Sequence, residues 1–360
     1  MDTIPNSTIR RISANGDAYS IGRTIGEAVG ETVHRISVHN AEFAAAEARW
    51  AGSQYIDQLA AAARSVFPQY VRELEGMADG MGVSFARAFL WNCRGDLRWP
   101  DDISPEVAAG LSEGCTTLII PAGGGKLSLI AHNEDGAQDF HEQCFWVSAK
   151  PDDGPGFDSF LYPGMMPGHT MAVNGAGLVQ TINNMRVHDL KPGLPRHFVC
   201  RGILDCETMD DALGLLQRTD RASGFHHNLG SAREGRLASV EAPASGCQVV
   251  EITDTPSAHA NHLVMDEMKD IPQTITNSSS VRQIKAAEHL KRETHKTGGA
   301  EAVLFDAQAG HEIHRTPNDG GDDYGRTLAT GVFEMSENRI DVSIHNGPNN
   351  KNAISYQLTV

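Results

Sequence analysis

The hydrophobic periodicity of the chain changes once, between residues 114 and 115, and that change bounds what it can fold into. Before it, apolar residues recur at helical spacing: Ile21, Ile25, Val29 and Val33 in one stretch, Ile56, Leu59, Val66, Leu74 and Met77 in another. Pro68 reads as a break between helices. Gly80 and Gly82 read as a stop, and Ser84 as the cap of a further helix from Phe85 to Asn92. Only residues 8–13 suggest a strand there. After Cys115 the pattern becomes short apolar runs bounded by Gly, Pro, Asn and Asp, as strands require. They cover Phe145 to Ala149, Phe157 to Tyr162, His169 to Val173, Leu178 to Ile182 and a meander through Phe225, Leu237 and Cys247. A hairpin over 327–345 and a last strand over 353–360 follow. Helices are expected over 197–218, 280–296 and 300–309. Helices first, then strands with helices between them, give an α+β protein with helices outside two facing sheets.

The boundary itself has unusual chemistry. Gly114-Cys115-Thr116-Thr117 leads into the apolar run Leu118-Ile119-Ile120, which ends at Pro121 and a Gly-rich turn. Leu127 to Ala131 returns and ends in His132-Asn133-Glu134-Asp135. Antiparallel pairing across so short a loop brings Cys115 and Asp135 to the same end of one hairpin. Asp101 to Glu113 is polar and reads as an exposed connector, which supplies slack ahead of the cysteine. A Gly-Cys bond placed so can be attacked by its own thiol and then hydrolysed. The new α-amine, with an ordinary pKa of about 7.7–8.0, can serve as the thiol's base. The other reading of Cys115 is a buried structural thiol beside a strand.

Composition narrows the classes. With 46 acidic and 30 basic side chains the net charge is −16, which opposes nucleic-acid binding because phosphates need Lys and Arg partners. No apolar run approaches the ~20 residues of a membrane span, and no signal peptide is evident. The six cysteines lack CxxC spacing and read as reduced thiols of a cytoplasmic protein. Sixteen histidines invite a metal reading. The nearest pairs, such as His226-His227 and His259 with His262, lack ligand spacing, and neighbours on a strand point to opposite faces. Neither a metal nor another cofactor is expected.

Gly-Cys-Thr-Thr followed by a hairpin and Asn133-Glu134-Asp135 resembles the acyl-coenzyme A:6-aminopenicillanic acid acyltransferase family of N-terminal nucleophile (Ntn) hydrolases, peptidase family C45. Val173-Asn174-Gly175-Ala176-Gly177, Pro192-Gly193-Leu194-Pro195-Arg196-His197 and His259-Ala260-Asn261-His262 are similar to later family segments, in order. Glu73 to Gly80 resembles the helix of its pro-segment. The resemblance implies a four-layer αββα sandwich and self-cleavage between Gly114 and Cys115. Residues 1–114 become a helical small chain and residues 115–360 the catalytic chain, the two forming one integrated domain.

What the resemblance implies for the site follows residue by residue. Cys115 is the nucleophile, Asp135 the carboxylate that holds its α-amine, and Asn261 the donor to the oxyanion. His132, Glu134, Asn174, Asn183 and Arg326 are candidate substrate or charge contacts. The expected activity is hydrolysis of the linear amide of a small N-acyl amine through an acyl-cysteine. An acyltransferase using coenzyme A or a penicillin side chain is the alternative, and a silent binding module on the same fold is the reading from another class. The expected partners are a small amide or thioester and the protein's own two cleavage chains as a heterodimer, with room for a higher homo-oligomer.

Overall fold

The computed structural model describes residues 9–36, 39–97, 114–123, 127–308, 312–316, 325–348 and 353–360. The connector expected over 101–113 and the tip of the first hairpin, 124–126, lie outside the described residues.

The N-terminal part opens with strand β1 (Arg10–Gly16) and continues as helices α1 (Ala18–Arg35), α2 (Ala41–Trp50), α3 (Gln54–Val66), α4 (Pro68–Met81) and α5 (Phe85–Asn92). Their ends follow from local chemistry. The Asp17, Asn40, Ser53 and Ser84 side chains each accept a first-turn N–H of the helix they precede. Pro68 does not kink a helix but starts one, where its missing N–H costs nothing. Gly82 closes α4 in the left-handed conformation, φ 70°. Helices α1 and α4 pack backbone against backbone. A Cβ on Gly22 would stand 1.8 Å from the Glu73 carbonyl oxygen, and one on Gly76 would stand 2.1 Å from that of Tyr19.

From Gly114 the chain builds two sheets. The larger has the order β1-β4-β5-β6-β7-β8-β9-β10. Its later strands are β4 (Phe145–Pro151), β5 (Phe157–Leu161), β6 (Met171–Asn174), β7 (Leu178–Asn184), β8 (Phe225–Ser231), β9 (Arg236–Glu241) and β10 (Gln248–Glu251). The smaller has the order β11-β2-β3-β12-β13-β14. These are β2 (Gly114–Ile120), β3 (Ser128–Ala137), β11 (Ser257–His259), β12 (Gly325–Ser336), β13 (Arg339–His345) and β14 (Ile354–Thr359). All pairings are antiparallel except β1 with β4, which is parallel.

Between β7 and β8 lie α6 (Arg196–Ile203) and α7 (Met209–Leu216); α8 (Asn277–Lys291), α9 (Thr294–Gly298) and α10 (Glu301–Leu304) precede β12. The first group packs with α1–α5 on the larger sheet. The second covers the smaller sheet, where Ala286, Ala300, Val303 and Leu304 meet Leu118, Ala131 and Val332. The result is the four-layer αββα sandwich that the resemblance implies. The meander of β8, β9 and β10 and the hairpin of β12 and β13 follow the sequence reading; the three-residue β11 had no signal in it. Among the described residues no helix is long and apolar enough to cross a membrane. All six cysteines are free thiols.

The N-terminal part is fastened to the rest by more than packing. Arg201 Nε on α6 donates to both carboxylate oxygens of Glu73 on α4, at 3.1 and 2.9 Å, with both side chains buried. The same guanidinium lies over the Tyr70 and Phe157 rings at 4.6 and 4.5 Å.

Candidate active site

In the β2–β3 ladder Gly114 stands opposite Asp135 and Cys115 opposite Glu134. Residues paired across a ladder point to one face, and neighbours along a strand alternate. Cys115, Thr117, His132 and Glu134 therefore share the face towards the larger sheet. Asn133 and Asp135 share the face towards α8–α10, where Asn133 Nδ2 donates to the Leu304 carbonyl at 2.7 Å.

On the inner face the polar groups form one connected chain. Cys115 Sγ is 3.7 Å from Glu134 Oε2. That oxygen is 3.0 Å from His132 Nε2, and His132 Nδ1 is 2.7 Å from Thr117 Oγ1. Thr117 donates across the sandwich to Asn183 Oδ1 on β7 at 3.0 Å. The Tyr162 hydroxyl donates to the second Glu134 oxygen at 2.8 Å. Cys115, His132 and Glu134 thus bring a sulfur, an imidazole nitrogen and a carboxylate oxygen within 4.8 Å of one another. Burial pushes the Cys115 thiol well above its ordinary value; Glu134 and Asp135 add to this, while the Asn184 N–H and Arg282 oppose it. Burial also pulls His132 down to about 3, so its imidazole is neutral at neutral pH.

The backbone at the candidate cut is held from the other side. The Cys115 N–H donates to Asn261 Oδ1 at 2.9 Å. Asn261 follows β11, the edge strand that pairs with β2, which is why it arrives beside Cys115. Arg282 on α8 donates to Asn261 Oδ1 at 2.6 Å, to Thr116 Oγ1 at 3.1 Å and to the Cys115 carbonyl. These donors fix the amide, so Asn261 Nδ2 points the other way and donates to the Asn184 carbonyl at 3.0 Å. Gly114 is as confined as Cys115: a Cβ there would meet Arg282 Nη2 at 3.1 Å and Arg315 Nη1 at 3.2 Å.

The remaining sequence candidates lie in varied settings. Asp135 is buried, with Oδ1 accepting from Thr327 Oγ1 at 2.6 Å and Oδ2 without a hydrogen-bond partner among the described residues. Asn183 joins the two sheets, receiving Thr117 and Asn228 and donating to the His259 carbonyl at 3.1 Å. Asn174 closes the β6–β7 turn, accepting the Ala176 and Leu178 N–H groups and donating to the Leu204 and Cys206 carbonyls. Arg326 reaches Gln138 at 3.2 Å, and its backbone pairs with Gly136 rather than with the Cys115 level.

A cavity of about 10 Å³, with room for about one water, adjoins Cys115 and Glu134. Its far wall is Tyr162, His169, His197 and Phe225, and Arg94 from the N-terminal part closes it. Tyr162, Arg94 and Arg282 carried no signal in the sequence reading. Arg282 sits in the helix expected over 280–296, which reads as charged, and its 1% exposure singles it out.

A sequence profile of the family described as acyl-coenzyme A:6-aminopenicillanic acid acyl-transferase matches residues 122–349. The beta-alanyl-dopamine/carcinine hydrolase of Drosophila melanogaster is 26% identical over 360 aligned residues, covering 90% of this chain and 88% of that protein. With the buried cysteine, histidine and glutamate of the hairpin, these findings assign the chain to the acyl-coenzyme A:6-aminopenicillanic acid acyl-transferase family of cysteine-dependent Ntn hydrolases and acyltransferases.

Proposed function

We infer that the chain cleaves itself between Gly114 and Cys115 and then hydrolyses the linear amide of a small N-acyl amine through an acyl-cysteine. One observation carries this reading: the Cys115 nitrogen, which cleavage would turn into an α-amine, is already seated on Asn261 Oδ1 at 2.9 Å, beside a thiol on the inner face of the sandwich. The freed amine then takes the thiol proton, the thiolate attacks the amide carbonyl, and the amine returns the proton to the leaving group. Water releases the acyl group from sulfur.

In this reading Asn261 holds the amine with Oδ1. Asn261 Nδ2 serves the oxyanion by exchanging its bond to the Asn184 carbonyl for the substrate oxygen. Asp135 contributes negative charge beside the position Gly114 vacates, which favours the ammonium form after proton transfer. Residues 1–114 and 115–360 stay together as one body, because Arg94, Glu73 and β1 are built into it. The confined site at the end of two packed sheets suits a small substrate and not a folded polypeptide. The hydrolase named for the fly relative favours water as the acyl acceptor. The description of the matching family favours an amine acceptor, which makes acyl transfer the second reading.

Mass spectrometry of the purified protein tests the cut. Wild type is expected as chains of 114 and 246 residues and Cys115→Ala as one chain of 360. An intact wild type, or cleavage elsewhere, removes the basis of the reading. A panel of acylated amines, β-alanyl amines, penicillins and acyl-coenzyme A esters with 6-aminopenicillanate tests the substrate. Transfer from coenzyme A faster than hydrolysis would make the protein an acyltransferase.

A further inference from the structure

The reaction inferred above gives its proton transfers to the α-amine and its oxyanion to Asn261, and it gives no step to His132 or Glu134. Yet these two side chains converge on the nucleophile, and all three are buried. The ladder is the cause. Cys115 pairs with Glu134 and Thr117 with His132, so alternate residues bring a sulfur, a ring nitrogen and a carboxylate oxygen to one face. Spacing along the chain hides this set, since the register across the hairpin supplies it. Glu134 Oε2 is the hub, 3.7 Å from Cys115 Sγ and 3.0 Å from His132 Nε2. A tetrahedral zinc ion bonds sulfur at about 2.3 Å and nitrogen or oxygen at about 2.0–2.2 Å, which sets its ligand atoms about 3.4–3.6 Å apart. The three atoms already lie within 4.8 Å of one another, so even the widest pair has only about 1 Å to close. Both harder ligands have partners behind them. The Tyr162 hydroxyl donates to Glu134 Oε1 at 2.8 Å and leaves Oε2 for an ion. Coordination through Nε2 selects the tautomer with its hydrogen on Nδ1, where Thr117 Oγ1 stands 2.7 Å away to accept it.

We propose that Cys115 Sγ, His132 Nε2 and Glu134 Oε2 form a zinc-binding site, and that a bound zinc ion holds the nucleophile inactive until it is removed. The donor set selects the metal: thiolate and imidazole suit zinc, whereas magnesium and calcium take oxygen ligands. A thiolate and a carboxylate cancel the two positive charges of the ion, so the interior gains no net charge when it binds. The cavity beside Cys115 and Glu134, with room for about one water, supplies the fourth ligand. On binding, the S–H bond breaks, its proton leaves to solvent, and the sulfur lone pair goes into the Zn–S bond; no electron is transferred. That lone pair is the one that would attack a carbonyl carbon, so the loaded protein can neither cut itself nor accept an acyl group. A chelator reverses this, and the thiol takes a proton back. The site itself does not depend on self-cleavage, because its three side chains are the same on either side of the cut. Its inhibitory effect rests on Cys115 being the nucleophile of the reading above.

Cobalt(II) titration of EDTA-treated protein tests the site, with cobalt standing in for zinc. Wild type should bind one ion per chain with a thiolate-to-metal charge-transfer band and the visible bands of a tetrahedral ion, and added zinc should bleach both. Cys115→Ala should lose the charge-transfer band; a band that survives there belongs to one of the other five thiols and overturns the proposal. Zinc affinity of Glu134→Gln and His132→Gln should fall by at least ~10²-fold, since even a partner behind a ligand is worth ~10–100-fold. Binding to both variants as tight as to wild type means that the thiol alone holds the ion, and overturns the site. X-ray absorption at the zinc edge needs no variant to fold. Wild type loaded with one equivalent should show one sulfur at about 2.3 Å and nitrogen or oxygen at about 2.0–2.2 Å. Two or more sulfurs, or none, overturn the proposal. Hydrolysis of an amide from the panel above should fall in step with zinc occupancy and return with EDTA; full turnover by loaded enzyme refutes the inhibition. If no amide is hydrolysed, the amidase reading fails by itself, and the zinc site is still decided by the scattering.

Discussion

The contact between α1 and α4 makes a quantitative prediction from two substitutions of one kind on one helix. In Gly22→Ala the new Cβ lies 1.8 Å from the Glu73 carbonyl oxygen and 2.7 Å from its carbon. Reaching the 3.4 Å of ordinary contact requires a shift of about 1.6 Å, and the obstacle is backbone that cannot rotate away. The shift moves the helix that carries the buried Ile21 and Ile25 away from the one that carries the buried Leu74 and Met77. Overpacking of this kind costs about 1–3 kcal/mol, and rigid atoms on both sides place it at the upper end. Alanine returns about 1 kcal/mol of helix propensity, so the net loss is about 2 kcal/mol. In Gly30→Ala the nearest atoms are the Gly80 carbonyl oxygen and Met81 Cα, both at 3.5 Å. That Cβ fits, only the propensity term remains, and the variant should gain up to about 1 kcal/mol. Urea unfolding of both variants in a Cys115→Ala background keeps the chain in one piece, and equal m-values validate the comparison. The two midpoints should move in opposite directions. A Gly22→Ala protein as stable as its parent, or a Gly30→Ala protein destabilised equally, would refute the close-contact account.

Three further outcomes follow from the buried charges and the site. Burial raises Asp96 to about 6 against an ordinary 3.8, so the stability it contributes is fully present below pH ~4 and lost as pH rises through ~6. Asp96→Asn should therefore gain on wild type by up to about 3 kcal/mol at neutral pH, a gap that closes on acidification and is read by urea unfolding at several pH values. Glu73→Ala leaves a buried Arg201 with Asp205, at 2.7 Å, as its one carboxylate partner among the described residues and should cost about 3 kcal/mol in the same assay. Asn261→Ala in processed enzyme should lower kcat by roughly 10²–10³, and Asn261→Asp, which keeps the acceptor but loses the donor, should still self-cleave with kcat lowered as in Asn261→Ala.

The layers and the hairpin were legible because they rest on local patterns. Ser84 caps the helix expected from Phe85, and Gly114 to Ile120 is the strand its apolar run suggests. The site was legible where the ladder register decides it. Pairing across the β2–β3 turn already places Glu134 opposite Cys115, although the sequence reading gave more weight to its neighbour Asp135. What stayed hidden depends on contacts between distant segments. Arg282 lies 167 residues from the carbonyl it binds, and nothing in a polar helix marks which of its charges turns inward. Tyr162 reads as the end of a strand, and its hydroxyl finds Glu134 only once the sandwich has closed. Pro68, by contrast, was legible: read as a break between helices, it stands at the boundary between α3 and α4, as the first residue of α4.

Strand β1 belongs to the segment before the proposed cut, yet it is an edge strand of the larger sheet, pairing with β4 from Arg10↔Phe145 to Gly16↔Pro151. Before cleavage the strand is tethered, and regaining it after unfolding is a first-order event. If the chain is cut as proposed, the same pairing joins two molecules, and recovery would depend on concentration and compete with other encounters. A mature protein that has shed its small chain would expose the hydrogen-bonding edge of β4, which is a template for pairing with any extended segment nearby. Cleavage would thus be a ratchet: the precursor can unfold and return, whereas the processed enzyme keeps its shape mainly because it has not yet lost it.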